Sequence, residues 1–290
     1  MIQVKNLSFS YTKKPFIEDM NFSVSEGEIF GFLGPSGAGK STLQKILLGM
    51  LPGYGGSAVV CGTECRASSS DFYQQIGVDF EYSTMYEKLS ARENLEFFSS
   101  LYRKTSGSKR GTGSGRSIDE LLAMVGLEND VDKRVSDFSK GMKSRLNFIK
   151  TLVHDPKILF LDEPTSGLDP TNNRLMKDII LEEKRRGKTI LLTTHNMQDA
   201  TELCDRVAFI VGGKIYALDT PHNLIMSKGA AKVSYSWIEN GEQTGECVLD
   251  EMASDERLQK LIASNRIISI HSSEPTLNDI FMEITGRTLV

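Results

Sequence analysis

The chain has 290 residues, of which 39% are hydrophobic and 25% are charged, a composition typical of globular proteins. Its 34 Lys and Arg residues against 38 Asp and Glu residues give a formal net charge of -4. That charge offers no general attraction to a phosphate backbone, so nucleic acid is excluded as the primary partner. No apolar run approaches the ~18 residues that a membrane-spanning helix needs, and the first residues do not have the pattern of a signal peptide. We therefore expect a cytoplasmic protein.

The four cysteines are too few for a disulfide framework in a chain of this length. They are Cys61, Cys65, Cys204 and Cys247. The first two are separated by three residues, but no second Cys or His pair follows at zinc-ligand spacing. The sequence predicts free, partly buried thiols.

The first elements in chain order are strands that lead into a glycine-rich segment. Residues 2–9 alternate apolar and polar side chains, and residues 28–33 form a short apolar run that ends at Gly34. The first pattern predicts a half-buried strand and the second a fully buried one. Residues 42–50 have helix-forming composition, so the glycine-rich segment lies between a strand and a helix.

The pattern changes to helical periodicity between residues 87 and 154. Within this part, residues 105–117 are rich in Gly, Ser and basic residues. A phosphate-binding loop is one interpretation, but no strand leads into the segment, so a flexible linker is favoured. We therefore predict a helical insertion that contains a surface loop.

Buried strands are predicted again at residues 158–161, 189–193 and 207–211, with helices at 171–186 and 197–204 between them. This alternation predicts a parallel sheet flanked by helices. After residue 220 the sequence predicts strands at 232–238 and 267–270 and a helix at 254–263. The expected fold is α/β, with a main domain at 1–220 and a small α/β appendage at 221–290.

The glycine-rich segment fits the pattern G-x-x-x-x-G-K-S, and its place between a buried strand and a helix is the one that phosphate binding requires. The backbone N–H groups of such a loop cradle phosphate oxygens, so Lys40 is predicted to reach the β and γ phosphates and Ser41 to bind Mg²⁺. A glycine-rich turn without a ligand is the alternative. The motif alone does not separate transport ATPases from GTPases or kinases. The nucleotide-binding candidates are Gly34, Pro35, Ser36, Gly37, Ala38, Gly39, Lys40, Ser41 and Thr42.

Two adjacent carboxylates end the predicted strand at 158–161. Along a strand, neighbouring side chains point in opposite directions. We therefore predict separate roles, with Asp162 holding Mg²⁺ and Glu163 orienting or deprotonating the attacking water. Two acids at a strand end are more often a solvated turn, but these follow a phosphate loop in the same α/β unit.

With these motifs in place, the chain resembles the ATP-binding-cassette ATPases over about residues 1–220. Residues 137–170 are the most specific part of the resemblance, because three family motifs follow one another there. The resemblance implies a RecA-like P-loop NTPase core, an inserted helical subdomain at about 87–154 and a C-terminal appendage. The residues that carry it are the signature segment Phe138, Ser139, Lys140, Gly141 and Met142, the loop Ser166, Gly167, Leu168 and Asp169, and His195.

By this resemblance, Ser139 and the Gly141 amide would cap the γ-phosphate of ATP held by a second cassette. Tyr11 matches the family's aromatic residue that stacks on adenine, and Asp169 lies in the loop that links the two sites. His195 matches the residue that contacts the γ-phosphate. Without the resemblance, a single Tyr or His at such a place is usually packing or surface.

Two positions depart from the family's usual pattern. The signature segment has a cation, Lys140, where many members have glycine. Glu81 stands where the family usually has a glutamine that touches Mg²⁺ and contacts the membrane subunit, so Glu81 is a further candidate metal ligand.

The tail at 274–286 resembles the end of cassette subunits from multidrug and antibiotic exporters. The implied function is an ATPase that binds ATP and Mg²⁺ and drives export of drugs or other hydrophobic or amphipathic compounds. The implied partners are a second cassette, in a homodimer or related heterodimer, and a separate transmembrane permease that holds the chain at the inner face of the cell membrane. The alternative is a soluble mechanical ATPase acting on ribosomes or DNA, which usually has fused cassettes or long coiled coils.

Overall fold

The computed structural model describes residues 1–80, 84–102, 116–228, 232–239, 241–273 and 275–286. The chain divides into two compact units, the first at Met1–Leu218 and the second beginning at Asp219. The four cysteines are free thiols, and Cys65 and Cys204 are buried, so the expectation from their number and spacing is confirmed.

The described residues form strands and helices in the following order along the chain. The strands are β1 (Ile2–Phe9), β2 (Ile17–Val24), β3 (Ile29–Leu33), β4 (Gly55–Val60), β5 (Thr63–Glu64), β6 (Ile76–Asp79), β7 (Ile158–Asp162), β8 (Thr189–Thr194), β9 (Arg206–Val211), β10 (Lys214–Asp219), β11 (Lys232–Ile238), β12 (Glu242–Val248) and β13 (Ile267–Ser273). The helices are α1 (Lys40–Leu47), α2 (Ser70–Tyr73), α3 (Ala91–Ser100), α4 (Ile118–Met124), α5 (Lys140–Lys150), α6 (Pro170–Arg185), α7 (Met197–Leu203), α8 (Pro221–Lys228), α9 (Glu256–Ala263) and α10 (Leu277–Thr285).

Two sheets build the first unit. The larger has the order β10-β9-β3-β8-β7-β6, and its strands from β9 to β6 run parallel. The smaller has the order β2-β1-β4-β5 and is antiparallel. The apolar strands β3, β7 and β8 lie inside the larger sheet, as a parallel sheet covered on both faces requires. The α/β prediction with a central parallel sheet is confirmed.

Aromatic packing joins the smaller sheet to the strand that precedes the phosphate loop. The Phe22 ring on β2 meets the Phe32 ring on β3 edge to face, with centroids 5.1 Å apart, and lies 5.8 Å from Phe30. All three rings belong to one buried apolar cluster. Such contacts stabilise by about 0.5–1.5 kcal/mol beyond the apolar area that they bury.

Three helices, α3, α4 and α5, lie between β6 and β7. Capping boxes begin α3 at Ser90 and Glu93 and α4 at Ser117 and Glu120, a pattern that satisfies the free N–H groups of a helix start. Most of the predicted linker at 105–117 is outside the described residues. Its last two residues are described: Ser117 caps α4, and Arg116 makes a 2.5 Å ion pair with the fully buried Glu183 of α6.

The second unit contains an antiparallel sheet of order β12-β11-β13 with helix α9 beside it. A small apolar cluster joins them through Tyr235 and Trp237 of β11 and Leu258 and Leu261 of α9. The strands and helix predicted here from the sequence are present, and β12 is an additional strand.

The turn between β9 and β10 supports the phosphate loop through its backbone. Gly213 donates its N–H to the Ala38 carbonyl at 3.0 Å and accepts the Glu18 N–H at 3.1 Å. A Cβ atom on Gly213 would lie 1.8 Å from the Phe16 carbonyl oxygen, whereas one on Gly212 would meet nothing within 4 Å. Both residues have positive φ, 54° and 76°.

This pair of glycines gives a matched stability test. Gly212→Ala carries only the left-handed backbone cost of roughly 1–2 kcal/mol. Gly213→Ala adds a backbone clash, so we expect it to lower the free energy of unfolding by about 1–3 kcal/mol more. Urea unfolding followed by far-UV circular dichroism measures both variants, and equal midpoints would contradict the close approach at Gly213.

His154 is a partly buried histidine just after α5. Its Nε2 lies 2.9 Å from the Ile76 carbonyl, so the neutral ring carries its proton there. Its ring stacks on Tyr102 with centroids 3.6 Å apart. Burial lowers the pKa of His154 from 6.5 to about 4.

A depressed histidine pKa makes stability depend on pH. The unfolded chain takes up a proton below pH 6.5, whereas the folded chain does so only near pH 4, so stability falls as the pH drops through this window. Between pH 7.5 and pH 5.0 the loss from this one group is about 2 kcal/mol. His154→Gln removes the titration, so the difference in unfolding free energy between wild type and variant should shrink by that amount. A difference that stays constant would contradict the depressed pKa.

Candidate nucleotide-binding site

The phosphate loop connects the end of β3 at Leu33 to the start of α1 at Lys40. A Cβ atom on Gly34 would lie 2.1 Å from the Ile210 carbonyl oxygen, so only glycine lets the chain pass β9 here. Gly39 stands at the N-cap of α1 with φ 109° and supplies no side-chain cap. The first N–H groups of α1 are therefore left for an anion, which the positive end of the helix dipole also favours.

Lys40 folds back over its own loop. Its ammonium donates to the Gly34 carbonyl at 2.5 Å and to the Pro35 carbonyl at 3.1 Å, and the residue is 8% exposed. Burial lowers the pKa of Lys40, and the carboxylates of Glu163 and Asp162 oppose that shift. The two acids thus favour a charged ammonium beside the loop.

Asp162 ends β7 and Glu163 follows it, and the carboxylate of each accepts hydrogen bonds from residues at the end of β8. The Asp162 carboxylate accepts a hydrogen bond from the Thr193 hydroxyl. Glu163 accepts from the Thr194 hydroxyl at 3.0 Å, and from the His195 backbone N–H at 2.9 Å and ring Nδ1 at 2.8 Å. The strand pairing Asp162↔Thr193 places these groups side by side.

The expectation that the two carboxylates diverge by strand alternation is wrong for Glu163. The strand ends at Asp162, and Glu163 has φ 51°, in the left-handed region that non-glycine residues seldom adopt. Alternation therefore does not apply past Asp162. The left-handed turn instead leaves both carboxylates lining the same two cavities.

The first cavity, of about 190 Å³, joins the phosphate loop to the acids. Its lining comprises Phe16, residues 36–42, Asp162 and Glu163. Tyr11 stands nearby: its hydroxyl lies 3.1 Å from the Thr42 hydroxyl, and its ring packs edge to face on Phe9 and Phe16. Tyr11 is 57% exposed, so part of its side chain is accessible to a ligand.

The second cavity, of about 360 Å³, lies between the same acids and the signature segment. Phe138, Lys140, Ser166 and Leu168 contribute to its wall. Ser139 is the N-cap of α5, and its hydroxyl oxygen accepts the Met142 N–H at 3.2 Å. Among the described residues, no hydrogen bond joins Ser139 to the phosphate loop.

Lys140 contacts the loop at Ser166–Asp169. A Cβ atom on Gly167 would lie 2.8 Å from the Lys140 ammonium, and Gly167 has φ 69°. Asp169 caps α6 by accepting the Thr171 and Asn172 N–H groups at 3.1 and 3.0 Å. The backbone and side-chain hydrogen bonds from Asn172 lower the pKa of Asp169. Gly141 has space around it, since a Cβ there would meet Asn172 and Leu168 only at 3.9 Å.

The site also contains residues that the sequence reasoning did not single out. Thr193 and Thr194 donate hydrogen bonds to the two acids. They could have been predicted as site residues, because they lie at the carboxyl end of a predicted parallel strand, where ligands bind in such sheets. Asp79, the last residue of β6, lies 5% exposed beside the end of β7 and accepts a hydrogen bond from Asn147. Burial raises the pKa of Asp79 above its usual range; Lys150 and the Asn147 hydrogen bond oppose the rise, and Asp162 adds to it. Glu81, the remaining candidate metal ligand, is outside the described residues.

In the part of the chain that the structure describes, no helix is long and apolar enough to cross a bilayer. The acids and the Ser41 hydroxyl present only oxygen donors, the ligands that Mg²⁺ prefers. They line one cavity with the phosphate loop.

Comparison with known proteins agrees with this geometry. Residues 17–166 match the family described as ABC transporter. The chain is 47% identical to a fluoroquinolones export ATP-binding protein of Mycobacterium tuberculosis, covering 100% of this chain and 94% of the relative. It is 35% identical to a Nod factor export ATP-binding protein I of Rhizobium meliloti, covering 99% and 89%. A solved ATP-binding subunit of an ABC transporter, 28% identical, aligns with a TM-score of 0.70 over 78% of this chain and 92% of that one. The chain therefore belongs to the ABC transporter family, and it is one of that family's ATP-binding and ATP-hydrolysing subunits.

Proposed function

We propose that the chain powers the export of drugs or other hydrophobic or amphipathic compounds through a separate membrane permease. The observation that carries the chemistry is the cavity that brings Lys40 and Ser41 together with Asp162 and Glu163. Relatives matched over nearly their whole length act in export, which favours this role over a mechanical ATPase on ribosomes or DNA. The proposal places the chain in the cytoplasm, at the inner face of the membrane.

ATP would enter with its phosphates on the N–H groups of residues 36–42, which line the first cavity, and its adenine against Tyr11. The Lys40 ammonium would move from the loop carbonyls to the β and γ phosphates, whose negative charge would pair directly with its positive charge. The hydroxyl of Ser41 and the free carboxylate oxygen of Asp162 would hold Mg²⁺. When bound, the metal neutralises phosphate charge and orients the γ-phosphate for attack.

Glu163 is the group positioned to act on water. Its carboxylate would take a proton from the water whose oxygen forms a bond to the γ-phosphorus, while the bond to the bridging oxygen of ADP breaks. The His195 ring donates a hydrogen bond to the same carboxylate. When nucleotide is bound, the ring N–H would instead donate to the γ-phosphate. Thr194 keeps the second Glu163 oxygen in place.

The signature segment would complete the site of a second cassette. Ser139 begins α5, whose free N–H groups suit a phosphate, and Lys140 makes no ion pair among the described residues. Since ATP would bind best between two cassettes, it shifts the pair to the closed state, and hydrolysis reopens it. That cycle would drive the inward-facing and outward-facing states of the permease.

An aromatic cluster on the helical insertion supports a protein partner. Tyr86, Phe97 and Phe98 form it, with ring centroids 5.0–6.0 Å apart. Tyr86 is 50% exposed, Phe97 39% and the adjoining Leu101 61%. Contiguous exposed apolar side chains of this kind mark interaction surfaces, so we assign this one to the permease. In this assignment residues 1–220 form the motor domain, residues 87–154 its helical subdomain and residues 221–290 an accessory domain.

The catalytic role of Glu163 can be tested with an amide. Glu163→Gln preserves the shape but cannot accept a proton from water, so turnover should fall by about 10²–10⁴ while ATP affinity stays close to that of wild type. The variant should accumulate as an ATP-bound dimer. Phosphate release and solution mass with MgATP measure both effects. Glu182→Gln, on the exposed part of α6, is the control and should hydrolyse normally; normal turnover of Glu163→Gln would remove Glu163 from the role of base.

The action of Ser139 in the partner's site can be tested by mixing. Lys40→Ala damages the cassette's own nucleotide site, whereas Ser139→Ala damages the site whose phosphate loop belongs to its partner. A dimer of one variant with the other then has one doubly damaged site and one intact site. An equal mixture of the two inactive variants should recover about a quarter of the intact sites of wild type, since half of the random dimers are mixed. Hydrolysis that stays at the level of the separate variants would mean that Ser139 acts within its own chain.

A further inference from the structure

Two polar side chains of helix α5, the buried Asn147 and the partly buried Lys150, form hydrogen bonds to residues 79, 80 and 84. Asn147 donates its amide to the Asp79 carboxylate and to the Phe80 carbonyl, the latter at 3.3 Å. Lys150, one turn further along α5, donates to the Asn147 amide oxygen at 2.8 Å and to the Thr84 hydroxyl at 2.7 Å. We call these two side chains of α5 the Asn147–Lys150 clamp.

Asn147 is the buried part of the clamp. It is 3% exposed, and both its amide nitrogen and its amide oxygen have partners. Lys150 is partly buried and brings a positive charge towards the buried Asp79 carboxylate; burial lowers the pKa of Lys150 while Asp79 opposes that shift. Removal of Asn147 takes this hydrogen bond from the buried Asp79 carboxylate, a loss that proteins rarely tolerate. Removal of the Lys150 ammonium leaves the Asn147 oxygen with the longer hydrogen bond from the Thr84 N–H, at 3.5 Å.

The two ends of the clamp lie at functionally different places. Asp79 pairs with Leu161 in the parallel sheet, so it is adjacent to Asp162 of the nucleotide site. Helix α5 begins after Ser139, the residue that we assign to the second cassette's site. Lys150 also lies 5.2 Å from the Phe98 ring centroid, within the exposed aromatic cluster.

We propose that Asn147 and Lys150 are positioning residues that hold the end of β6 and helix α5 in one fixed arrangement. A cassette's own Asp162 and the signature segment that it offers to its partner then move together. Asn147 lines the second cavity, and neither residue belongs to the lining of the cavity at the phosphate loop. The clamp therefore acts on the bound phosphates through placement. The inference rests on the proposed function, because it assigns Ser139 to the partner's site.

Kinetics of the full-length protein separate this role from a merely stabilising one. Lys150→Met keeps the aliphatic stem and removes the ammonium. Because the phosphate loop and Tyr11 are untouched, we expect kcat for ATP hydrolysis to fall about tenfold, with the Kd for ATP within about twofold of wild type. Lys150→Arg retains the charge and should recover at least about half of the activity. Lys184→Met, which breaks only an exposed ion pair with Asp205, is the matched control and should keep the wild-type kcat.

A double-mutant cycle tests whether the two residues form one linkage. Asn147→Leu alone should lower kcat, and the double variant with Lys150→Met should be no slower than the slower single variant, because both changes break the same linkage. Each kcat is divided by the folded fraction from circular dichroism, so a variant that folds poorly remains informative. Independent, multiplying losses would overturn the proposal, as would a Lys150→Met variant with wild-type kcat or one whose Kd rises in step with its loss of rate.

The outcome for the clamp is distinguishable from that for the catalytic site. If Glu163→Gln is inactive and Lys150→Met is normal, the clamp proposal fails while the ATPase mechanism stands. If Glu163→Gln hydrolyses ATP normally, the catalytic assignment itself fails, whatever Lys150→Met does.

Discussion

The register of three parallel strands decides where every group of the nucleotide site lies. Leu33 of β3 pairs with Thr194 of β8, and Asp162 of β7 pairs with Thr193, so the three strands end at one level. The phosphate loop starts one residue after Leu33, and Glu163 follows Asp162 directly. Since a shift of one residue moves a strand by about 3.3 Å and reverses its side chains, the backbone ladder and not the side chains sets the spacing of these groups. The apolar composition of the three strands keeps that ladder buried.

Because the three strands end at one level, several charged side chains lie close together and must balance one another. Lys40 stands near two carboxylates, and Asp79 adds a third acid at the end of the neighbouring strand. Unpaired, so many acids at one sheet edge would repel one another, and burial would make that repulsion stronger. Lys40 of the phosphate loop and Lys150 of α5 supply positive charge near these acids, and Asn147 of α5 supplies a hydrogen bond to Asp79. Asn147 and Lys150 therefore also connect the sheet edge to the helical insertion.

The sequence predicted those parts of the fold in which local pattern and tertiary role agree. The buried strands β3, β7 and β8 are short apolar runs in the sequence. The phosphate loop has glycines at the positions where the backbone conformation requires them, so it too could be predicted. The strands β2 and β4 were missed, because β2 mixes Glu, Asp and Asn with its apolar residues and β4 begins with two glycines. The sequence also did not predict the hydrogen-bond partners of Glu163, which lie about 30 positions away, or the contact of Asn147 with Asp79, which spans about 70 positions. Local periodicity contains no information about contacts between residues so far apart in the chain.

Within the chain, Lys40 and Glu163 already have hydrogen-bond partners. Lys40 donates to two loop carbonyls, and Glu163 accepts from Thr194 and His195. In the proposed mechanism the incoming phosphate competes with these bonds, so part of its binding energy would be used to turn Lys40 and His195 towards the γ-phosphate. Glu163 meanwhile stays in a left-handed conformation that costs of order 1–3 kcal/mol, and the Thr194 and His195 bonds are what hold it there. In the proposed mechanism, turning the His195 ring towards the phosphate would remove one of the two hydrogen bonds on that Glu163 oxygen, while the His195 backbone N–H still donates to it. The vacated position would accept water as the phosphate arrives, which would couple arrival of the substrate to activation of the base.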